Sequence, residues 1–320
     1  MALVAAQALA VAFVLAFAPL YRGLLERWRA RLFLRVGPPV LQPYRDLRKW
    51  FSKELVRSER ASWISGLAPI VYFCAPVIVA LLIPVLTRSP LPLAFMADML
   101  GAGFVLGAGG FFLLLAALDG GSAYAALGTS RIRLVAVFAE PLITLIVFAA
   151  AAVGHATIPF VVNAALAEPA WLLSPAHVLL LVAWFLFWIA ETGRIPVDNP
   201  SSTAELSLID PARVFEAAGP DLALYEWGGW MKFMIIGLVG VNVLGTPWGL
   251  AAAAAPLPLL AAMASSAVKL VVVGLLLVAF EASFAKLRLL RIPEFIGAAS
   301  LVALLAVVAA ALGTGKGVAP

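Results

Sequence analysis

The sequence is divided by apolar runs of about twenty residues, the length a helix needs to cross the hydrocarbon core of a bilayer. LVALLAVVAAALG at 301–313 and VAWFLFWIA at 182–190 belong to two of them. In that solvent every backbone polar group must be satisfied within the spanning structure, which leaves helices or closed barrels. Barrel strands would be short and alternating, whereas these runs are long and continuous. The chain is therefore expected to be all-α and polytopic, a single integral membrane domain over residues 1–320. Eight spans are expected, at about 2–20, 64–86, 94–118, 132–152, 172–190, 230–250, 263–284 and 296–313. The composition agrees: 64% of the 320 residues are hydrophobic and 12% charged, about half the charge fraction of a soluble domain.

Orientation follows from the basic residues between the spans. Segment 21–63 holds eleven: Arg22, Arg27, Arg29, Arg31, Arg35, Arg45, Arg48, Lys49, Lys53, Arg57 and Arg60. Same-side connections add Arg131, Arg133, Arg194, Arg213, Lys286, Arg288 and Arg291, while the opposite side has Arg88 and Lys316. Both termini are therefore expected outside, with 21–63 and 191–229 in the cytoplasm. The start, MALVAAQALAVAFVLAFAPL, has no basic residue ahead of its apolar stretch and reads as an uncleaved first span. The sequence pI of about 9.6 comes largely from segment 21–63, so it does not imply nucleic-acid binding.

One cysteine, Cys74, and two histidines, His155 and His177, cannot supply a Cys-ligated iron–sulfur cluster or a structural zinc site. No metal or cofactor is assigned to this chain. Any redox centres would sit on partner chains.

In segment 21–63, a Gly-Pro-Pro turn precedes a helical stretch in which Tyr44, Leu47, Phe51 and Leu55 recur three and four apart. Arg45, Arg48, Lys49 and Lys53 fill the other positions, as in a helix lying in the headgroup plane. The segment reads either as a positive-inside anchor or as a docking platform. Arg35, Gln42, Tyr44, Arg45, Asp46 and Lys49 would be the docking residues.

Segment 191–229, opening with ETGRIPVDNP, is acidic on the basic side. It carries Glu191, Asp198, Glu205, Asp210, Glu216, Asp221 and Glu226 against Arg194 and Arg213. Pro196 and Pro200 are expected to hold its first part extended. Ser202-Thr-Ala-Glu205 reads as a capping box, and Asp210-Pro211 as an acidic N-cap with Pro at the first helical position. Arg194 is available to pair with the loop acids. Within the spans, Glu140 sits mid-helix, where an ionisable group normally faces a partner or water. Pro141 beside it leaves the Val137 carbonyl without its usual amide, favouring a hydrated kink. Asp119, Glu191, Lys232, Lys269 and Glu281 extend a polar path, although Glu281 equally fits a snorkelling end residue. Lys232 is placed to pair with an acid of the loop.

ETGRIPVDNP after a span, the acidic loop with its Ala-Glu-Leu step, and RVGPPVLQPYRDLRKWFSKE together resemble one family. It is the quinone-side membrane subunit of respiratory complex I and of membrane-bound hydrogenases. FEASFAKLRLLRIPEF extends the resemblance over nearly the whole chain. RVGPPVLQP, one residue shorter than the respiratory pattern, Gly193, Val197, Asn199-Pro200, and ALDGGSAYAALGTSRIRLVAVFAEP are similar to the formate hydrogenlyase and hydrogenase-4 branch.

The resemblance implies an anchor for a soluble redox arm that couples its electron transfer to proton or sodium movement. Glu140, Glu191, Glu205, Asp210, Glu216, Asp119 and Lys232 are the coupling candidates; Arg194, Asp198 and Pro196 shape the loop. Implied partners are the lipid bilayer, NiFe-hydrogenase-like large and small subunits carrying the iron–sulfur clusters and any nickel site, and antiporter-like membrane subunits. The implied location is a bacterial or archaeal cytoplasmic membrane. Two alternatives stay open: a quinone-site subunit with its chamber beside 35–54 and 191–226, and a stand-alone secondary transporter.

Overall fold

The computed structural model describes residues 2–90, 92–93, 96–199, 209–245 and 248–314. Long helices dominate it: α1 (Ala2–Leu32), α3 (Trp63–Leu82), α4 (Met99–Asp119), α5 (Ala123–Gly154), α9 (Gly219–Leu238), α10 (Pro256–Ser283) and α11 (Ile292–Thr314). With the π-helical extension of α9, Val239–Gly245, these give seven helices long and apolar enough to cross a membrane. The expected span at 172–190 is the shorter α8 (Pro175–Glu191), of 17 residues. Shorter still are α2 (Gln42–Phe51), α6 (Pro159–Leu166) and α7 (Pro169–Leu172).

Polar caps fix many of the starts. The hydroxyls of Ser62, Ser122 and Ser174 accept from Ile64, Ala125 and His177 amides, and the Asp98 carboxylate from Leu100 and Gly101. Each satisfies backbone donors that the first helical turn leaves open. α8 and α10 start on proline and α9 has Pro220 second, where the missing N–H costs nothing.

The two largest boundary differences from the sequence expectation share one reason. α1 runs to Leu32, so the first third of the basic segment is helix, and α9 starts at Gly219 rather than near 230. Hydropathy stops at charges, whereas a helix continues through them while its other face stays packed. In GPDLALYEWGGW, Ala223, Tyr225 and Gly228 are buried between Asp221, Glu226 and Trp230.

α9 is the most enclosed span and contacts α1, α2, α3, α8 and α10. α11 packs on α5 and α8, and α4 fills the space between α3 and α5. A file of rings joins the halves: Phe13, Phe17, Tyr21, Phe233 and Trp188 stack in series at 4.8–6.2 Å between centroids. Its polar tips are satisfied by helix carbonyls, Tyr21 donating to Leu270 O at 2.9 Å and Trp188 to Phe233 O at 2.9 Å.

Candidate functional site

The site is the end of the bundle where α1, α8, α9 and α10 meet the 192–218 connection. Glu191 closes α8, and Lys232 projects from α9 to place its Nζ 2.6 Å from Glu191 Oε1. Both line a cavity of about 440 Å³ that runs between α3, α4, α5, α8 and α9. Thr129, Arg133, Glu140 and Arg213 share its wall, which is otherwise apolar. Of the two segments beside which the quinone-site alternative places its chamber, 191–226 contributes Glu191 and Arg213 to this wall and 35–54 contributes nothing.

Glu140 stands exposed on α5, and among the described residues no side chain binds its carboxylate. α5 runs through Pro141 as one helix of 32 residues. Asp119 lies elsewhere. Its carboxylate accepts from Ser62 N at 2.7 Å and Ser65 Oγ at 2.6 Å, joining the end of α4 to the start of α3.

The loop is organised differently from the expectation. Among the described residues, Arg194 does not pair with the loop acids. It is 4% exposed, its Nη1 lies 3.5 Å from Glu281 Oε1 of α10, and its guanidinium covers the Phe233 ring at 4.4 Å. Arg29 of α1 meets the other Glu281 oxygen at 2.7 Å. One buried carboxylate therefore holds two guanidinium groups from distant parts of the chain, which places Glu281 well away from a snorkelling role. Burial pulls the Arg194 guanidinium down to about 10 and Glu281 opposes it, so the group stays charged near neutrality.

Asp198 takes the organising role. It is 1% exposed and accepts amides of Asn199, Ile209 and Asp210 at 2.8–3.0 Å, with Lys286 Nζ at 2.7 Å. Far from extended, residues 194–198 form a tight turn in which Arg194 O accepts from both Val197 and Asp198; the Ile195–Pro196 peptide is cis. Pro196 O accepts from Leu287 N at 2.8 Å, fastening the turn to the segment after α10.

Asp210 does not cap a helix. Its backbone is already helical, Pro211–Val214 forms a single 3-10 turn, and its carboxylate pairs with Arg213 instead. Arg213 is buried, which lowers its pKa, with Glu191 and Asp198 among the opposing charges. Glu216 is exposed at a small cleft shared with Arg57, Asp221, Tyr225 and Arg213. Glu205, its capping box and Pro200 lie outside the described residues.

On the basic segment, α2 forms where expected but ends before Leu55. Its apolar side rests on α9, through Trp50 against Trp230 at 6.3 Å and Phe51 against Trp227 at 6.4 Å. Tyr44 donates to Ala16 O of α1, and Gln42 to Asp46 at 2.8 Å. Arg35, Arg45, Arg48 and Lys49 remain exposed. Arg57 grips Asp221 with two bonds of 2.8 and 3.1 Å. Gly219 is required beside it: its φ is +54° and a Cβ would lie 2.5 Å from Glu54 O.

Sequence reasoning gave no role to Asn163, His177 and Asn242. Each is a buried polar residue within or beside an apolar run, the signal that could have marked it. Asn242 donates to Val85 O and Ser266 and accepts from Lys269, while the ring nitrogens of His177 meet the carbonyls of Leu172 and Leu244.

These features define a polytopic α-helical membrane protein with a charged, loop-covered end. Residues 4–312 match the family model described as NADH dehydrogenase, and the chain belongs to that family. It is 33% identical over 277 residues to formate hydrogenlyase subunit 4 of Escherichia coli (strain K12), covering 86% of this chain and 88% of that protein. Hydrogenase-4 component C of the same organism is 29% identical over 280 residues, 87% of each chain. NADH-ubiquinone oxidoreductase chain 1 of Balaenoptera physalus is 30% identical over 219 residues, 66% of this chain and 65% of that protein. A chain of the membrane-bound sulfane sulfur reductase (MBS), an archaeal respiratory membrane complex, shares the fold with a TM-score of 0.80 at 20% identity, over 97% of this chain and all of that one.

Proposed function

We propose that this chain is the membrane-anchoring, energy-coupling subunit of a hydrogenase-type, complex I-related redox assembly. Its relatives in formate hydrogenlyase and hydrogenase-4, matched over more than four-fifths of their length, support the reading. Electron transfer takes place on soluble partner chains, a hydrogenase-like large and small subunit, which hold the iron–sulfur clusters and any nickel site. Antiporter-like membrane subunits complete the assembly in a bacterial or archaeal inner membrane. Both termini face outward and the basic segment faces the cytoplasm, in keeping with the distribution of Lys and Arg. The exposed Arg35, Arg45 and Lys49, with Gln42, Tyr44 and Asp46, receive the soluble arm.

The observation that carries the coupling role is the Glu191–Lys232 pair in the wall of a membrane cavity that also contains Glu140. A charge change at the loop alters the balance of that pair, and a proton displaced there has an acceptor deeper in the bundle. Asp210, Glu216 and, by sequence, Glu205 are the further carboxylates of the loop, and Asp119 is one at the end of α4.

The test is proton movement in liposomes holding the whole assembly, followed with a pH-sensitive dye during turnover. Glu140→Gln and Lys232→Met should preserve assembly and abolish most of the proton movement per electron. Wild-type coupling in both variants would remove the cavity from the path. Ion or solute flux by the chain alone would instead favour a transporter.

A further inference from the structure

The 440 Å³ cavity contains chemistry that proton coupling leaves unused. Two residues of its wall carry buried polar atoms with no hydrogen-bond partner among the described residues, Arg213 Nε and Thr129 Oγ1. The Arg213 side chain is 9% exposed and Thr129 is 2% exposed. The fold brings their neighbours into contact: a Cβ on Gly128 would lie 2.5 Å from the Ala212 Cβ. A guanidinium N–H and a hydroxyl left unmet in one place call for an acceptor, best an anionic one.

The charges in the wall point the same way. Lys232 and Glu191 neutralise one another, and Arg213 shares its charge with Asp210. Arg133, one turn along α5 from Thr129, has no carboxylate partner among the described residues. Among the described residues, the loop end of the cavity therefore carries the one uncompensated positive charge of Arg133. Glu140, two turns deeper on the same strip of α5, gives the far part the opposite sign. An anion is drawn to the loop end and kept from the deep end.

Below the cations the cavity is long, narrow and greasy. Its α5 wall, Thr129, Arg133, Ala136, Glu140, Ile143 and Val147, spans about 27 Å at 1.5 Å per residue. That approaches the ~30 Å of a bilayer core. Opposite, α4 presents Gly103, Gly107 and Gly110, and a Cβ at Gly107 or Gly110 would meet nothing within 4 Å. Exposed lining residues Phe111 and Val137 lie at the outer side, between α4 and α5.

We propose that this cavity binds an anionic glycerophospholipid. Its phosphate accepts from Arg213 Nε, the Thr129 hydroxyl and Arg133, and one acyl chain lies along the α4–α5 groove. The inference rests on the unmet donors and the shape of the cavity, not on the coupling reading, and its test reads binding rather than turnover.

The assembled complex carrying this chain is placed in nanodiscs of mixed phosphatidylglycerol and phosphatidylcholine. Lipids that survive detergent washing are identified by native mass spectrometry. Phosphatidylglycerol should be retained in preference to phosphatidylcholine. Gly107→Leu should expel it by filling the tail groove. Arg133→Gln should weaken retention about tenfold, the equivalent of one charge-assisted hydrogen bond. A second measurement needs no groove variant: acyl-brominated phosphatidylglycerol should quench the fluorescence component that Trp184→Phe removes, because Trp184 lines the cavity. Equal retention of phosphatidylcholine, retention indifferent to both substitutions, or an unquenched Trp184 component would overturn the proposal. Should Gly107→Leu fail to assemble, the quenching decides.

Discussion

The two ends of the bundle bury polar groups in opposite styles. At the loop end the groups are ions, and they bind one another across long stretches of sequence: Arg29 and Arg194 on Glu281, Lys286 on Asp198, Lys232 on Glu191. At the other end Asn163, His177, Asn242 and Ser266 bind mainly backbone carbonyls around the π-helical turn that ends α9. A π-helical turn departs from regular α-helical pairing, and polar side chains fasten its carbonyls. The second network holds an irregular backbone in place. The first holds charge in place, and charge is what a redox partner could perturb.

The strongest way to break the comparison is Glu281→Ala, which leaves two buried guanidinium groups without their counter-ion. Stability should fall by about 3–5 kcal/mol, read as loss of assembled complex and an early thermal transition in detergent. Asp198→Asn ranks next. It surrenders the charge on Lys286 and one of the amide acceptors, for about 1.5–3 kcal/mol, and hydrogen exchange over 192–199 and 209–218 should rise while the helices stay protected. Asn242→Ala should cost about 1–2 kcal/mol, from two neutral bonds and the part-exposed one from Lys269. It should leave proton coupling at the wild-type level in liposomes, which sharpens the contrast between fastening and charge.

The smallest stability effect belongs to the pair with the largest expected functional one. The Glu191 and Lys232 side chains are 26% and 15% exposed, and a double-mutant cycle should return no more than about 1 kcal/mol. A large coupling energy there would make the pair a structural staple like Glu281.

Much of this was legible in the sequence, because the bilayer asks one question of each residue. Run length located the long helices, whereas the caps Ser62, Asp98, Ser122 and Ser174 emerged only with the fold. The Tyr44–Phe51 periodicity located α2, and position alone suggested a loop-acid partner for Lys232. What could not be read were pairings between helices distant in sequence. Arg194 and Glu281 are separated by 87 positions, and nothing near either names the other. The acids of ETGRIPVDNP and its sequel also looked alike as a cluster. Only the fold separates buried Asp198, which gathers amides, from exposed Glu216 at its cleft. The two prolines of the decapeptide suggested an extended chain, but around Pro196 the amides of Val197 and Asp198 turn inward to the Arg194 carbonyl.

The seating of α2 has a mechanical consequence. The helix with the exposed cations is not a free float on the lipid surface: it is pinned to α1 by Tyr44 and bears on α9 through two indole rings. One of those rings belongs to Trp230, two residues from Lys232. α2 therefore bears on the same helical turn that carries the cavity's ammonium group. In the proposed coupling role, α2 and the ion pair would be the pedal and the valve of one linkage.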